Sequence, residues 1–258
     1  CTLMESKGYY SVFDSSTRFI IPVYQRPYSW GEKEIIPFIS DLIKNYLGKD
    51  RKGENPEPMF IGTMQLSEKK YISKDEHEQE VIDGQQRLTT LSILLKLLSI
   101  KYPDFKRLND LKFNWLESRI NKSQNDYLTD FFNTKIIEER ANNTYFNNAV
   151  LIENSFNNLI ENEIVDESNS FSFDIDKFCD YLFSKVYFVI IETYTGLSKT
   201  LQIFNAINTT GLDLNGGDLF KIRMYEYLKD IKNEDESSFN KISEIYELID
   251  EKNKHVGR

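Results

Sequence analysis

Val81-Ile82-Asp83-Gly84-Gln85-Gln86-Arg87-Leu88-Thr89-Thr90-Leu91 passes from one kind of apolar pattern to another within a few residues. Val81 and Ile82 read as the end of a buried strand, and Leu88 to Leu98 as a helix with an apolar face; a glycine turn flanked by Asp, two Gln and Arg lies between them. A strand-to-helix turn of this kind directs backbone N–H groups outward at a helix N-terminus, where an anion is favoured. Arg87 adds a planar five-donor fork suited to phosphate, and Asp83 a hard oxygen able to hold a divalent cation or orient water. The side-chain amides of Gln85 and Gln86 both donate and accept, as water-positioning groups must. This is the outline of a phosphate-handling site. The residues alone leave a second reading open, in which Asp83 caps the helix and Arg87 forms a surface ion pair.

The 258-residue chain is long enough to bury one large core or two modest ones, and its 14% aromatic content marks it as folded. Its apolar runs, such as Leu91 to Ile100, are broken by Ser and Lys, so none is expected to span a bilayer. No basic leader followed by an apolar stretch opens the chain, and its two cysteines are too few for a disulfide framework. A cytoplasmic protein without a membrane segment is the expectation. The net charge of −9 argues against a broad nucleic-acid surface but leaves room for a local basic groove. Two isolated histidines make a zinc site or a His-Asn-His nuclease centre improbable, and no G-x-x-x-x-G-K-S/T phosphate loop is present.

Working outward, residues 5 to 30 read as an entry helix or loop leading into a strand at Phe19 to Val23. Glu32 to Leu47 has helical apolar spacing, and Gly48 to Pro58 reads as a loop. Strands are expected at Phe60 to Ser67 and Glu80 to Asp83, joined by a polar hairpin connection or lid, with the following helix ending near Tyr102-Pro103. Residues 104 to 184 then turn helical throughout: Phe113, Leu116 and Ile120 share one face, and Tyr145, Ala149, Ile152, Phe156 and Leu159 another. Val186 to Thr193 is β-branched and reads as a buried strand that completes the sheet late, followed by helices over Ser198 to Ile207, Gly217 to Leu228 and Ser237 to Asn253. Because that strand is too apolar for an edge, it is expected beside Phe60 to Ser67 and Val81 to Asp83. The fold class predicted is α+β.

Four segments occur in order: Ile21-Pro22-Val23-Tyr24-Gln25-Arg26-Pro27-Tyr28-Ser29-Trp30, Phe60-Ile61-Gly62, Asp83-Gly84-Gln85-Gln86-Arg87, and Asn208-Thr209-Thr210-Gly211 through Leu214 to Asp218-Leu219-Phe220-Lys221. Together they resemble the DUF262 family, the N-terminal domain of GmrSD-type, modification-dependent restriction enzymes. The resemblance implies a small mixed sheet of ParB/sulfiredoxin type that binds and hydrolyses a nucleoside triphosphate through the Asp83-to-Arg87 segment. That activity would be coupled to anti-phage DNA restriction, usually through a separate C-terminal nuclease domain. On this basis the domain expectation is a discontinuous core of residues 1–103 and 185–230, an all-helical insert at 104–184, and a helical extension at 231–258 leading into further chain.

The same resemblance assigns Asp83, Gln85, Gln86 and Arg87 to catalysis, with Mg²⁺ bridging phosphate oxygens to Asp83 and a glutamine orienting water. It assigns Tyr24, Gln25, Arg26, Gly84, Asn208, Gly211, Asp218 and Lys221 to nucleotide binding, with Arg26 neutralising developing charge. DNA is expected to enter through the full-length protein or a partner nuclease. Several residues carry a plainer reading beside this one. Arg26 fits a structural ion pair, Gly211 a helix C-cap, Asp218 an N-cap and Lys221 a solvated helix face. Trp30 reads as core, whereas Tyr28 is open between core and base stacking. A non-catalytic nucleotide-gated or DNA-binding switch is the rival from another class, and a helical scaffold a third.

Overall fold

The computed structural model describes residues 2–8, 17–48, 56–164, 173–194, 224, 227 and 228. The strands among them are β1 (Thr2–Gly8), β2 (Thr17–Ile21), β3 (Met59–Ser67), β4 (Lys70–Tyr71), β5 (His77–Asp83), β6 (Leu116–Ser118) and β7 (Val186–Thr193). The helices are α1 (Glu32–Leu47), α2 (Gln85–Lys101), α3 (Lys106–Asn109), α4 (Lys122–Asn133), α5 (Thr144–Ile164) and α6 (Ile175–Ser184). The result is a mixed α+β fold, as the sequence predicts.

The strands form one sheet in the order β1-β7-β3-β5-β2-β6, with β4 paired to β5. The late strand β7 runs parallel to β3, and β3 runs antiparallel to β5. Val186 to Thr193 therefore stands in the same sheet as the two earlier strands, across the long helical excursion. Its apolar side chains explain the position: Val186, Phe188, Ile190 and Ile191 are all buried, and β1 covers its other edge.

α2 is the helix around which the core closes. Leu88, Leu91, Ile93, Leu94, Leu95, Leu97 and Leu98 are all buried, which covers most of its circumference rather than one face. A single apolar cluster joins them to Met64, Leu66, Val81 and Phe188 of the sheet and to Leu42, Phe146 and Phe178 of the surrounding helices. α1 begins as the periodicity predicts, with Glu34 accepting a hydrogen bond from the Gly31 backbone N–H at 3.0 Å. Asp174 caps α6 by accepting from the N–H groups of Asp176 and Lys177.

Three expectations need correction. The segment 104–184 is not all-helical, because Leu116–Ser118 is a strand parallel to β2. Leu116 thus faces the core from a strand, not from the helix its spacing to Phe113 and Ile120 suggests. Tertiary pairing overrides that local pattern. The main-chain N–H of Phe19 donates to Trp115 O and that of Arg119 to Ile21 O. Arg18 and Arg119 meanwhile bind Glu117, and Arg119 also binds Glu78, at 2.7–2.8 Å. Second, residues 5–8 belong to a strand rather than an entry helix or loop, their partner being the edge of β7 that β3 leaves open. Third, the strand ending at Asp83 begins at His77 rather than Glu80, since His77 to Glu80 pair with β2, and the hairpin expected before it is formed by β4 pairing with His77 and Glu78.

Filling of the space around α2 predicts a large cost for truncation there. Leu94→Ala is expected to lower unfolding free energy by about 2–5 kcal/mol. Ile136→Ala, at a side chain 64% exposed, should change it by less than about 0.5 kcal/mol. Urea titration followed by circular dichroism checks both, and equal effects would contradict this core.

Candidate functional site

The parallel pairing of β2 with β5 decides where the candidate residues meet. Both strands run the same way, so the segment leaving β2 at Ile21 and the turn leaving β5 at Asp83 emerge at one end of the sheet. In sheets containing parallel strands, ligands favour the carboxyl ends. Asp83 pairs with Gln65 on antiparallel β3, so Ile61 and Gly62 extend past Asp83 at the same end.

α2 starts earlier than its apolar pattern indicates. Gly84 is its N-cap in a left-handed conformation, φ 91° and ψ 1°, and Gln85, Gln86 and Arg87 form its first turn. The Gly84 carbonyl accepts from the Leu88 N–H at 3.0 Å, which leaves the amides of Gln85 to Arg87 outside the helix's own ladder. A Cβ on Gly84 would lie 3.1 Å from Thr63 O and 3.2 Å from Met64 Cα, so both its φ and its close approach to β3 require glycine.

Arg87, at the third helical position, lays its guanidinium across β3. Nη1 donates to Ile61 O at 2.9 Å. Gly62 has φ 118°, and a Cβ there would overlap that guanidinium. Gly62 therefore makes the floor on which Arg87 rests, and Arg87 is half-buried rather than a freely solvated surface charge.

The two glutamines turn toward the segment after β2. Gln85 Nε2 donates to Gln25 Oε1 and to Arg26 O, both at 3.1 Å, while Gln25 Nε2 donates to Ile82 O at 2.6 Å. Gln86 Oε1 accepts the backbone N–H groups of Ser29 and Trp30 at 2.9 and 3.1 Å, and its Nε2 donates to Pro27 O at 3.2 Å. Backbone carbonyls only accept and backbone amides only donate, so these partners define both amide orientations. Tyr24 donates to Glu80 Oε2 at 3.1 Å.

Tyr28, open in the sequence reading, is core. It is 5% exposed and stacks on Tyr145 with ring centroids 5.4 Å apart. Burial pushes its phenol up to about 12, so it is a donor at neutral pH. Thr90 commits its one hydroxyl proton to Gln86 O, hence Tyr28 donates to Thr90 Oγ1 at 2.8 Å. Trp30 packs edge-on against Phe38 beside the core, as expected. His77 is buried against Thr17, with Oγ1 and Nε2 3.0 Å apart, and is a structural residue.

The described structure thus brings together Tyr24, Gln25, Arg26, Asp83, Gly84, Gln85, Gln86 and Arg87. Asn208, Gly211, Asp218 and Lys221 lie outside the described residues, as do the helices expected after Ser198. β7 runs opposite to β5, so its carboxyl end at Thr193, level with Ser67, points away from the Asp83 turn. Sequence reasoning missed Glu80 and Asn148, and used Gly62 only as part of a motif. Glu80 stands three residues before Asp83 and had a polar-strand signal, whereas nothing in the sequence distinguishes Asn148 from its asparagine neighbours. Among the described residues no cluster of three or more His, Cys, Asp or Glu is arranged to hold a metal, and no helix is long and apolar enough to cross a membrane.

The sequence profile described as the GmrSD restriction endonuclease, N-terminal domain, matches residues 9–225. No curated protein gives a significant match to the chain.

Gly62→Ala is expected to destabilise by about 1–3 kcal/mol from backbone strain alone, with a further loss from displacing Arg87. Adding Arg87→Ala should return the second part and not the first. A double-mutant cycle of urea melts measures this, and additive effects would show that Gly62 does not support Arg87.

Proposed function

The chain belongs to the family of GmrSD restriction endonuclease N-terminal domains, and on that premise we propose that it binds and hydrolyses a nucleoside triphosphate. The setting proposed is a prokaryotic anti-phage, modification-dependent DNA restriction system. Membership makes this a restriction-system domain; the nucleotide chemistry is our reading. In that reading the core is of ParB/sulfiredoxin type and discontinuous, over residues 1–103 and 185–230, with Leu116–Ser118 of the intervening segment added to its sheet.

One observation carries the proposal: the glutamines of the α2 first turn bind the main chain of the Arg26 segment, while Arg87 rests on β3 across Gly62. Two arginine-bearing segments and three helix amides are thereby held at one helix N-terminus. Such a place favours a polyphosphate over other ligands, since both the amides and the guanidinium forks match its oxygens. Arg87 and the amides would hold phosphate oxygens, and Arg26 would offset the charge that grows on them in the transition state. Tyr24, Gln25 and Gly84 would shape the site through the contacts already described, and Asn208, Gly211, Asp218 and Lys221 would complete it.

In this reading the two glutamines have different parts. Gln86 has given both acceptor positions of its carbonyl to the Ser29 and Trp30 amides. Gln85 uses both of its N–H donors and keeps its Oε1 for a water. Gln85 is therefore the water-orienting residue of this proposal, and Gln86 holds the loop. Asp83 is a single half-buried carboxylate, which fits a Mg²⁺ carried largely by substrate phosphates rather than by a protein cage. When bound, that ion would supply charge neutralisation at the phosphates. DNA would be engaged by the full-length protein or a partner nuclease.

A switch that binds nucleotide without cleaving it is favoured by the same engagement of the glutamine amides in fixing the loop. Phosphate release with purified protein, across four NTPs with and without Mg²⁺ and DNA, separates the two. The hydrolase should release phosphate only with metal, and Asp83→Ala and Arg87→Ala should slow release by about 10²-fold or more while both variants remain folded and unfold cooperatively. Tight NTP binding with release equal to the buffer blank would establish the switch instead.

A further inference from the structure

The segment between β2 and α1 is held from two sides, and only one of them belongs to the nucleotide turn. On the first side stand Gln85, Gln86 and Thr90 of α2. On the second stands α5, in the helical insert. Asn148 of α5 is 6% exposed, and its Nδ2 donates to Trp30 O at 2.7 Å across 118 residues of sequence. Three residues earlier on α5, Tyr145 stacks on Tyr28 with an interplanar angle of 14°. Gln86 takes the N–H of Trp30 while Asn148 takes its carbonyl, so one residue is gripped from α2 through its amide nitrogen and from α5 through its oxygen.

From this we infer that the helical insert is a positioning element for the Arg26 loop, with Asn148 its principal contact. The inference rests on the proposed phosphate chemistry for its functional consequence. The physical reason is that Pro22 and Pro27 lack N–H donors, so the loop offers fewer backbone bonds of its own, while Gln86 and Asn148 bind its Trp30 peptide from outside. Movement of α5 relative to α2 would be transmitted to Arg26 through the Trp30 peptide. Asn148 touches no proposed substrate group and is a positioning residue, not a catalytic one.

The test uses Asn148→Asp, which keeps the side-chain shape and removes the donor, alongside Asn148→Ala. The control is Asn147→Ala, a neighbouring α5 residue that accepts from Arg140 N and does not reach the loop. With NTP and Mg²⁺, both Asn148 variants should lose about tenfold in kcat with KM within about twofold, and the control should match wild type. The Gln86→Ala and Asn148→Ala pair should be non-additive in kcat, because both act on the Trp30 peptide. Acrylamide quenching of Trp30 in a Trp115→Phe background should rise in the Asn148 variants whether or not hydrolysis is detected. Hydrolysis absent from wild type would remove the phosphate chemistry, while unchanged quenching would remove the positioning role. Unchanged kcat in both Asn148 variants, additive effects with Gln86, or an equal loss in the control would likewise overturn it. If Asn148→Asp, which buries a carboxylate facing the Trp30 carbonyl, fails to fold, Asn148→Ala carries the same decision.

Discussion

The parallel alignment of β2 with β5 is the constraint on which the site depends. The two strands share register from Thr17↔His77 to Ile20↔Glu80, so the segment that follows one and the turn that follows the other must leave the sheet together. Reversing either strand would send the Tyr24-to-Trp30 loop to the far end and leave the α2 first turn without the carbonyls and amides it now binds. The pairing is itself secured at its outer edge. Arg18 on β2 and Arg119 just after β6 hold Glu78 and Glu117, alternating charge across three strands. These groups are part-exposed, so their value is in fixing register more than in adding stability.

Polarity near the core is unusually well employed. Gln85, Thr89, Thr90 and Ser92 are buried on α2, a helix otherwise surrounded by leucines. Ser92 donates to Leu88 O and accepts from the Trp115 indole, and Thr90 links Gln86 to Tyr28. A buried polar group without a partner costs on the order of 1–3 kcal/mol, so each of these bonds also penalises alternative packings of the loop and insert. Rigidity at the helix N-terminus follows from that penalty. A polyphosphate site needs it, because oriented amides stabilise charge only when they do not have to reorganise.

The two glycines show how close backbone approach and side-chain function are linked. Gly84 lets β5 turn into α2 against Thr63 and Met64, and Gly62 lets Arg87 lie flat on β3. Each is needed for the other's consequence. Without the sharp turn at Gly84 the third helical position would not reach β3, and without the bare backbone at Gly62 Arg87 would have no place to rest.

The sequence by itself determined the elements whose signals are local. Glu32 to Leu47 and Val186 to Thr193 were legible to the residue, because helical spacing and a β-branched run need no partner to be read. The Asp83-to-Arg87 turn was legible as a candidate site for the same reason, its glycine and its polar residues being contiguous. What only the tertiary structure decided were features that exist through pairing. Leu116–Ser118 is too short to show a strand period and is a strand only because β2 offers an edge. The unlike hydrogen bonding of Gln85 and Gln86, identical in the sequence, comes from which groups of the loop each meets. Asn148 is one asparagine among many until α5 folds back on Trp30, since nothing in a linear pattern records which carbonyl 118 residues away will need a donor.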